Sequence, residues 1–451
     1  MVLAVFLAAT AAAANWTPAR WSSNDPKTLD LVAETPVNCL LVEQSVWSAA
    51  FSDAASERGI AVLGVVRAPA EATPTVRKAV DAKLTGLALE GDFEADSARA
   101  FDAALGEAKK VAIHLPPRAK MRFDEPAAIV GTGQGVWPGV RVEAKAAATG
   151  GPWIDTNSGF LRFARAASEA PVWIANRPPE KSVLPVTRYL QAISDAETVG
   201  ARWVIALDEE FTRRLLARDP RAVADWRRIG AQLRFFEDHK DWRALKPYGR
   251  LAIIEDPSSG ALLSGGVLDM IAVKHTPVRP VPLAKLDTAS LRGASMAVNV
   301  DPESVSPGHK EALRGFTRSG GTLLTAPPGW KFPPPRKDQI TLEKKELDRI
   351  DDIWKDINSM IGRTNLGARL FNVAGMLSSL LGDDTRVVLQ LTNYTSYPVE
   401  SIAVHMLSKY KKATLYTPEK QPRELETYET EGGGTGVDID QVTVSAALVL
   451  E

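Results

Sequence analysis

The feature that most constrains the fold of this chain is a regular alternation of short apolar runs and helical patterns across residues 38–210. Runs such as 60–66 and 86–89 are apolar throughout, which indicates strands covered on both faces. Such strands, separated by crossover helices, are typical of a parallel sheet. About seven or eight β/α units fit here, so we predict a (β/α)8 TIM barrel over residues 15–248, with a doubly wound sheet as the alternative.

Three further segments follow the barrel. Residues 249–332 repeat the strand–helix pattern on a smaller scale and predict a Rossmann-like α/β domain, in which the proline-rich run 277–281 suits only an edge strand. Residues 333–365 combine a proline-rich linker with an amphipathic helix, whose apolar stripe we interpret as a docking surface between domains. In residues 366–451 the hydrophobic period changes towards two, which predicts an antiparallel β-sandwich.

The first 14 residues are almost wholly apolar and end in four alanines, which resembles the core and cleavage site of a secretory signal peptide. The run is too short to span a bilayer, and no other segment approaches the required length. We therefore predict a secreted or periplasmic protein that does not enter the membrane.

Composition excludes several classes of function. Lys and Arg number 54 against 55 Asp and Glu, so no charge excess favours nucleic acid or an anionic membrane. The single cysteine, Cys39, lies in an apolar run and predicts a buried, inert thiol. The five histidines are scattered, so we predict no metal site. The glycine-rich loop 131–139 lacks both the helix and the lysine of a phosphate-binding loop, and we predict no cofactor.

Carboxylates recur where predicted barrel strands end, the position of active-site groups in a barrel. Glu43 follows the predicted first strand, Glu90 and Asp92 follow the third, and Asp208 with Glu209 follows the last. Each also has a structural interpretation, since a carboxylate here could pair with an arginine or bind the start of the next helix.

The loop 149–160, TGGPWIDTNSGF, combines small residues with an indole, a carboxylate and an amide. Asp155 is the leading catalytic candidate because Trp153 and Asn157 stand beside it, and its structural alternative is an Asx turn or helix cap. In the loop 131–139, Gln134 and Trp137 are candidates to face a sugar. We predict that Asp155, Asp208 and Glu90 are catalytic. The predicted substrate-binding residues are Trp153, Asn157, Glu43, Asp92, Gln134, Trp137 and Glu209.

The order of segments resembles the family 42 glycoside hydrolases, in which a catalytic barrel precedes an amidotransferase-like domain and a short β-sandwich. The residues that carry the resemblance are 251–254, LAII; 314–324, RGFTRSGGTLL; and 391–394, LTNY. The resemblance implies an acid/base glutamate after strand four and a nucleophile glutamate after strand seven. When the strand that ends at Glu43 is counted as the first, strand four ends at His114 and Leu115. Strand seven, at 171–175, leads into Asn176 and Arg177. Neither glutamate aligns.

These observations predict an exported glycoside hydrolase that uses paired carboxylates on an oligo- or polysaccharide. The alternative is an inactive glycan-binding protein that retains the architecture, and a purely structural oligomer subunit is a third. The α/β domain contains no cysteine nucleophile, so we predict a structural role for it and a possible homo-oligomer contact. The arrangement of the carboxylates at the barrel mouth discriminates between the first two hypotheses.

Overall fold

The structure is a computed structural model, and it describes residues 13–124, 127–141, 151–257, 266–327, 330, 340–362, 367–383, 385–418 and 420–451. The chain divides into two compact units. The first comprises Met1–Gly135, Ser168–Ile193 and Ala201–Asp238, and the second comprises Val136–Ala167, Ser194–Gly200 and His239–Glu451. Residues 1–12, most of the signal-like segment, lie outside the described residues.

The first unit contains a parallel β-barrel. Five strands are hydrogen-bonded in sequence order, and three later strands form a second parallel group. The strands as far as residue 203 are β1 (Pro18–Trp21), β2 (Cys39–Glu43), β3 (Ala61–Arg67), β4 (Gly86–Glu90), β5 (Val111–Leu115), β6 (Val130–Thr132), β7 (Gly139–Val140), β8 (Ile154–Asp155), β9 (Val172–Ile174) and β10 (Arg202–Trp203). Strands β7 and β8 form an antiparallel hairpin in the second unit, and the other eight form the barrel.

Backbone hydrogen bonds join the two groups of strands into a closed cylinder. The amide of Gly133 donates to the carbonyl of Pro116 at 3.2 Å, which joins β6 to β5. At the other joint, the amide of Arg20 donates to Ile205 at 2.7 Å and the amide of Ile205 donates to Pro18 at 3.0 Å. Closure leaves no exposed sheet edge. The predicted (β/α)8 barrel is confirmed.

Helices connect the barrel strands, as the sequence pattern predicts. Several have apolar residues at three- and four-residue spacing, so one face packs on the barrel while the other meets solvent. The helices of this part of the chain are α1 (Leu29–Ala33), α2 (Ala49–Ser56), α3 (Ala72–Asp81), α4 (Ala95–Glu107), α5 (Ser158–Ala167), α6 (Val186–Glu197), α7 (Glu209–Leu216) and α8 (Pro220–Asp238). Helix α5 belongs to the second unit.

The barrel interior is filled by apolar side chains that alternate along each strand. Leu41, Leu63, Ala88 and Ile113 belong to one buried cluster, together with the fully buried Trp173 of β9. Cys39 belongs to the same cluster and is fully buried, and this burial raises the pKa of its thiol well above the ordinary value. The prediction of a buried thiol is therefore confirmed, and the barrel interior is a packed core.

The strand count made from sequence is wrong by one. Strand β1 is only four residues long, contains Pro18 and Arg20, and lacks an apolar run. The hydrophobic pattern therefore does not predict it. It pairs in parallel with β2. Adding β1 makes Glu90 the last residue of the fourth barrel strand rather than the third, whereas β9 is the seventh barrel strand, the position it already had in the sequence-based numbering.

The second unit contains the predicted α/β domain. Its sheet consists of β11 (Leu251–Glu255), β12 (Val278–Pro282), β13 (Met296–Asn299) and β14 (Thr322–Thr325), all parallel in the order β12-β11-β13-β14. Strand β12, which contains Pro280 and Pro282, lies at the edge, as predicted. The helices described in this domain are α9 (Gly266–Val273) and α10 (Pro307–Arg318).

Two antiparallel sheets form the C-terminal sandwich, whose inward residues make one apolar core. Its strands are β15 (Ala368–Phe371), β16 (Met376–Gly382), β17 (Val387–Asn393), β18 (Val399–Met406), β19 (Ala413–Thr417), β20 (Lys420–Leu425), β21 (Thr427–Glu429), β22 (Thr435–Val442) and β23 (Ser445–Leu450). The sheet orders are β15-β18-β22-β21 and β16-β17-β23-β19-β20. Helix α11 (Lys344–Ile361) precedes the sandwich and buries Ile350, Ile353, Ile357 and Ile361 on one face.

Candidate functional site

Five charged side chains lie where barrel strands end. They are Arg20 in β1, Glu43 at the end of β2, Arg67 at the end of β3, Glu90 at the end of β4, and Arg177 shortly after β9. The carboxyl ends of parallel strands open on the same face of a barrel, which is the face where barrel enzymes place their active sites. We call these five residues the mouth cluster.

Glu90 lies at the centre of the mouth cluster. Its carboxylate accepts hydrogen bonds from the guanidinium groups of Arg20, of Arg67 at 3.2 Å and of Arg177 at 3.0 Å. Arg67 and Glu90 are also direct cross-strand partners in the register of β3 and β4. Only 12% of the Glu90 side chain is exposed. A carboxylate this far removed from water is stable because three guanidinium groups replace the water.

Glu43 forms the second half of the network. Arg67 donates to both carboxylate oxygens of Glu43, at 2.7 and 2.8 Å. This bidentate geometry is one that arginine can form and lysine cannot. Arg177 donates to the same carboxylate at 2.6 Å. Arg67 and Arg177 therefore each connect Glu43 to Glu90.

The arginines determine the charge state of both glutamates. Burial raises the pKa of Glu43, but hydrogen bonds and attraction from Arg67 and Arg177 outweigh it and lower the pKa to about 2. Burial likewise opposes ionisation of Glu90, yet Arg20 and Arg177 hold its pKa below the ordinary value. Both carboxyl groups are therefore anions at neutral pH.

The two carboxylates are close together. Oε1 of Glu43 and Oε2 of Glu90 both lie within 3.0 Å of the same Nη2 atom of Arg177. Their separation is therefore at most about 6 Å, near the spacing of about 5–5.5 Å between the carboxyl groups of retaining glycosidases. The space between them is crossed by guanidinium groups, and the five residues together carry one net positive charge.

The remaining predicted residues of the barrel unit have other partners. Asp92 forms an ion pair with Lys120. The side-chain oxygen of Gln134 accepts from the amide of Arg118 at 3.1 Å. Asp208 is 3% exposed and accepts from the amides of Phe211 and Leu184 and from the hydroxyl of Tyr189, so it caps helix α7. Glu209 is exposed at the first position of that helix.

The predicted site around Asp155 lies in the second unit. Asp155 stands in the β7–β8 hairpin, where its carboxylate accepts from Nε of Arg141 at 3.2 Å and from the indole of Trp153 at 3.2 Å. Trp137 is half-buried in the segment that leads into this hairpin. The indole and carboxylate are thus brought together as predicted, with an arginine that the sequence pattern did not reveal.

Asn157 is fully buried and holds the start of helix α5 in place. Its side-chain amide donates to the carbonyl of Val136 at 3.0 Å and to the carboxylate of Asp195 at 2.8 Å. Asp195 also accepts from the hydroxyl of Tyr394 at 2.6 Å. Burial raises the pKa of Asp195 despite these hydrogen bonds. This network gives Asn157 structural contacts at the start of helix α5.

The sequence patterns missed three arginines of the mouth cluster. Arg67 gave a readable signal, because it ends an apolar run of the same kind as the runs that end in Glu43 and Glu90. Arg20 gave none, since β1 has no apolar run. With β1 counted, Glu90 occupies the strand-four position that the family resemblance assigns to the acid/base glutamate. Arg177 follows strand seven, where the resemblance implies the nucleophile.

Within the described ranges, no group of three or more histidine, cysteine, aspartate or glutamate side chains could hold a metal ion. No helix in the part of the chain that the structure describes is long and apolar enough to cross a membrane.

Comparison of the sequence with protein-family models finds no match, and neither does comparison with curated proteins. Solved structures do match. An α-L-fucosidase isoenzyme 2 from Paenibacillus thiaminolyticus has a TM-score of 0.64 at 11% identity, covering 97% of this chain and 99% of that one. A catalytic mutant of a GH42 β-galactosidase from G. stearothermophilus has a TM-score of 0.60 at 9% identity, covering 97% and 98%.

A β-galactosidase from Bacillus circulans sp. alkalophilus has a TM-score of 0.53 at 9% identity, again with 97% of this chain covered and 99% of that one. At such identities the likeness concerns the fold. It extends over nearly the full length of each protein. The chain thus has the architecture of the family 42 glycoside hydrolases.

Proposed function

We propose that the barrel mouth binds a carbohydrate without hydrolysing it. The observation that carries the proposal is the ion pair between Glu90, at the position of the family's acid/base residue, and Arg177, near that of its nucleophile. A guanidinium group cannot attack an anomeric carbon, and its charge stabilises the anionic form of its neighbour.

Glycoside hydrolysis requires one neutral carboxyl group to protonate the leaving oxygen and one anion to act as nucleophile or base. The pKa of Glu43 is about 2 and that of Glu90 is lowered, so neither carries a proton at neutral pH. Active glycosidases separate the two pKa values, whereas the mouth cluster lowers both. The electrostatics therefore oppose proton transfer.

The same residues suit binding. The side chains of Arg67 and Arg177 are 49% and 44% exposed, so their guanidinium groups reach solvent at the mouth. Charged donors and the partly exposed carboxylate of Glu43 can exchange hydrogen bonds with sugar hydroxyls, and such bonds are stronger than those between neutral groups. Because the network is already formed, little ordering is needed on binding.

Hydrolysis is the second candidate, and one observation favours it. Glu43 and Glu90 are close enough for a retaining mechanism. A substrate that displaced Arg177 would separate Glu90 from one cation and raise its pKa. Asp155 also stays a candidate catalytic residue. Export of the protein and its self-association through residues 249–332 stay predictions.

The test compares turnover with binding. We expect the wild type to release no nitrophenol from nitrophenyl β-galactoside or α-L-fucoside above the rate of the Glu90→Gln variant. In calorimetry with β-galactosyl and α-L-fucosyl oligosaccharides, we expect binding to at least one, and we expect Arg67→Ala to weaken it about tenfold. Arg99→Ala is the matched control, because Arg99 pairs with Asp96 on the exposed face of α4.

Two results would reverse the proposal. Turnover by the wild type that disappears in Glu43→Gln, or in Glu90→Gln under conditions where urea unfolding shows that variant to be folded, would establish hydrolysis at the mouth. Oligosaccharide affinity that is equal in the wild type and Arg67→Ala would place binding elsewhere. Asp155→Asn belongs in the same panel, and turnover or affinity unchanged by it would remove Asp155 from the site.

A further inference from the structure

One face of the C-terminal sandwich carries a cluster of aromatic side chains. In the sheet β15-β18-β22-β21, alternate residues such as Leu370 and Val404 point into the core and are at most 5% exposed. Residues of the opposite parity form the outer face. Five of these outer residues, Arg369, Phe371, His405, Tyr428 and Asp438, are defined here as the outer aromatic patch.

The three rings of the patch form a row across the sheet. The ring centroids of Phe371 and His405 are 5.0 Å apart, and those of His405 and Tyr428 are 6.0 Å apart. Phe371 is 36% exposed and Tyr428 is 41% exposed, a large fraction for aromatic residues in a sheet. Isolated exposed apolar residues are ordinary, but adjacent ones indicate a binding surface.

The ring of Tyr428 lies flat on the sheet. Its register partner on β22 is Gly436, and a Cβ atom at that position would be 2.2 Å from a ring carbon. Only glycine therefore allows the ring to rest on the backbone of the neighbouring strand. One face of the ring is covered by the sheet and the other is left to solvent.

Polar groups surround the exposed rings. The hydroxyl of Tyr428 donates to the carboxylate of Asp438 at 3.1 Å. Nε2 of His405 lies 3.2 Å from the hydroxyl oxygen of Tyr428. At the other end of the row, the guanidinium carbon of Arg369 lies 5.5 Å from the centroid of Phe371. The patch thus combines flat apolar rings with nearby polar groups, Asp438 at the hydroxyl of Tyr428 and Arg369 over one face of the Phe371 ring.

We propose that the outer aromatic patch is a second carbohydrate-binding site, which takes pyranose rings of a neutral polysaccharide. The apolar face of a pyranose presents C–H groups that pack on the electron-rich face of an aromatic ring. Its equatorial hydroxyls point sideways, where Arg369 and Asp438 can bind them. Two exposed rings also offer far less than the area of about 1,000 Å² that a stable protein interface buries, so a small flat ligand fits better than a second copy.

Affinity electrophoresis of the full chain in gels containing soluble galactan, glucomannan or xylan tests this site. We expect at least one polymer to retard the wild type, and we expect Tyr428→Ala and Phe371→Ala each to weaken that binding about tenfold. Met360→Ala is the matched control, since Met360 is 43% exposed but lies on helix α11, outside the sheet that carries the patch. Its binding should equal that of the wild type.

The barrel variant Arg67→Ala separates this proposal from the one above. Polymer retardation that survives Arg67→Ala but is lost in Tyr428→Ala supports the patch whatever the mouth binds. A wild type that none of the three polymers retards, or patch variants that bind like the wild type, would overturn the proposal. So would light scattering that shows a wild-type dimer dissociated by Tyr428→Ala, because a second copy would then be the occupant.

Discussion

Glu90 and Glu255 occupy equivalent places in two different domains. Each is the last residue of a buried parallel strand, β4 in the barrel and β11 in the α/β domain. Glu90 is surrounded by three arginines. Glu255 is 1% exposed, and neither of its carboxylate oxygens has a hydrogen-bond partner among the residues that the structure describes.

This difference in partners reverses the charge state. Burial raises the pKa of Glu255 well above its ordinary value, and the nearby carboxylates of Asp301 and Asp269 raise it further. Burial acts in the same direction on Glu90, yet the arginines bring the pKa of that residue below the ordinary value. Position at a strand end therefore does not decide whether a carboxyl group is a neutral acid or an anion. Its neighbours do.

The largest effect is expected when the charge of Glu90 is removed. Glu90→Gln leaves Arg20, which is 10% exposed, with its principal anion lost and two further guanidinium groups nearby. Removing one partner of a buried ion pair costs about 3–5 kcal/mol, so we expect the free energy of unfolding in urea to fall by that amount. Asp96→Asn, which breaks an exposed pair with Arg99, should cost less than about 1 kcal/mol. Equal losses in the two variants would contradict the central role assigned to Glu90.

Glu255→Gln should change the free energy of unfolding in the opposite direction to Glu90→Gln, so that the variant becomes more stable than the wild type as pH rises. The raised pKa means that Glu255 is protonated in the folded state while the unfolded chain ionises above about pH 4.5. Its favourable contribution is therefore complete below that pH and is lost as pH rises towards the folded-state pKa. As pH rises above about 4.5, the wild type should lose up to about 1.4 kcal/mol per pH unit relative to the variant until the folded-state pKa is reached, measured by urea unfolding.

The control for this measurement is Glu57→Gln, at an exposed position just after α2. Its stability should follow that of the wild type at every pH. Parallel stability curves for the wild type and Glu255→Gln would show that Glu255 finds a partner or is ionised in the folded state.

The smallest effect is expected at Glu43. The lowered pKa, about 2, means that its ion pairs stabilise the fold above the ordinary value of 4.5 and are lost as pH falls towards 2. Because the side chains of Glu43 and Arg67 are 36% and 49% exposed, solvent limits the contribution to about 1 kcal/mol or less. The difference in stability between the wild type and Glu43→Gln should be constant above about pH 5 and vanish near pH 2. A difference that grows with acid would refute the ion pairing.

The architecture was readable from sequence because hydrophobic period reports burial. Runs that are apolar on both faces, such as residues 61–66, must be covered by helices. Runs of period two, such as Val399–Met406, must have one face exposed to solvent. Strand β1 was missed because Pro18–Trp21 contains an arginine and a proline and relies on its neighbours for its conformation.

The site was only partly readable. Glu43 and Glu90 were recognised because a charge at the end of an apolar run is a local signal. Arg20 and Arg177 lie 70 and 87 residues from Glu90, so no local pattern connects them to it. Asp208 illustrates the opposite case, since its helix-capping role was a local possibility and the structure realises it.

Local sequence pattern was enough to identify most of the buried strands, the order of barrel, α/β domain and sandwich, and the charged groups that end several barrel strands. What those charges do depends on the folded arrangement. The reason is physical: apolar periodicity acts through neighbours along the chain, whereas the ionisation of Glu90 or Glu255 depends on groups that closure of a barrel or a sheet brings within a few ångströms.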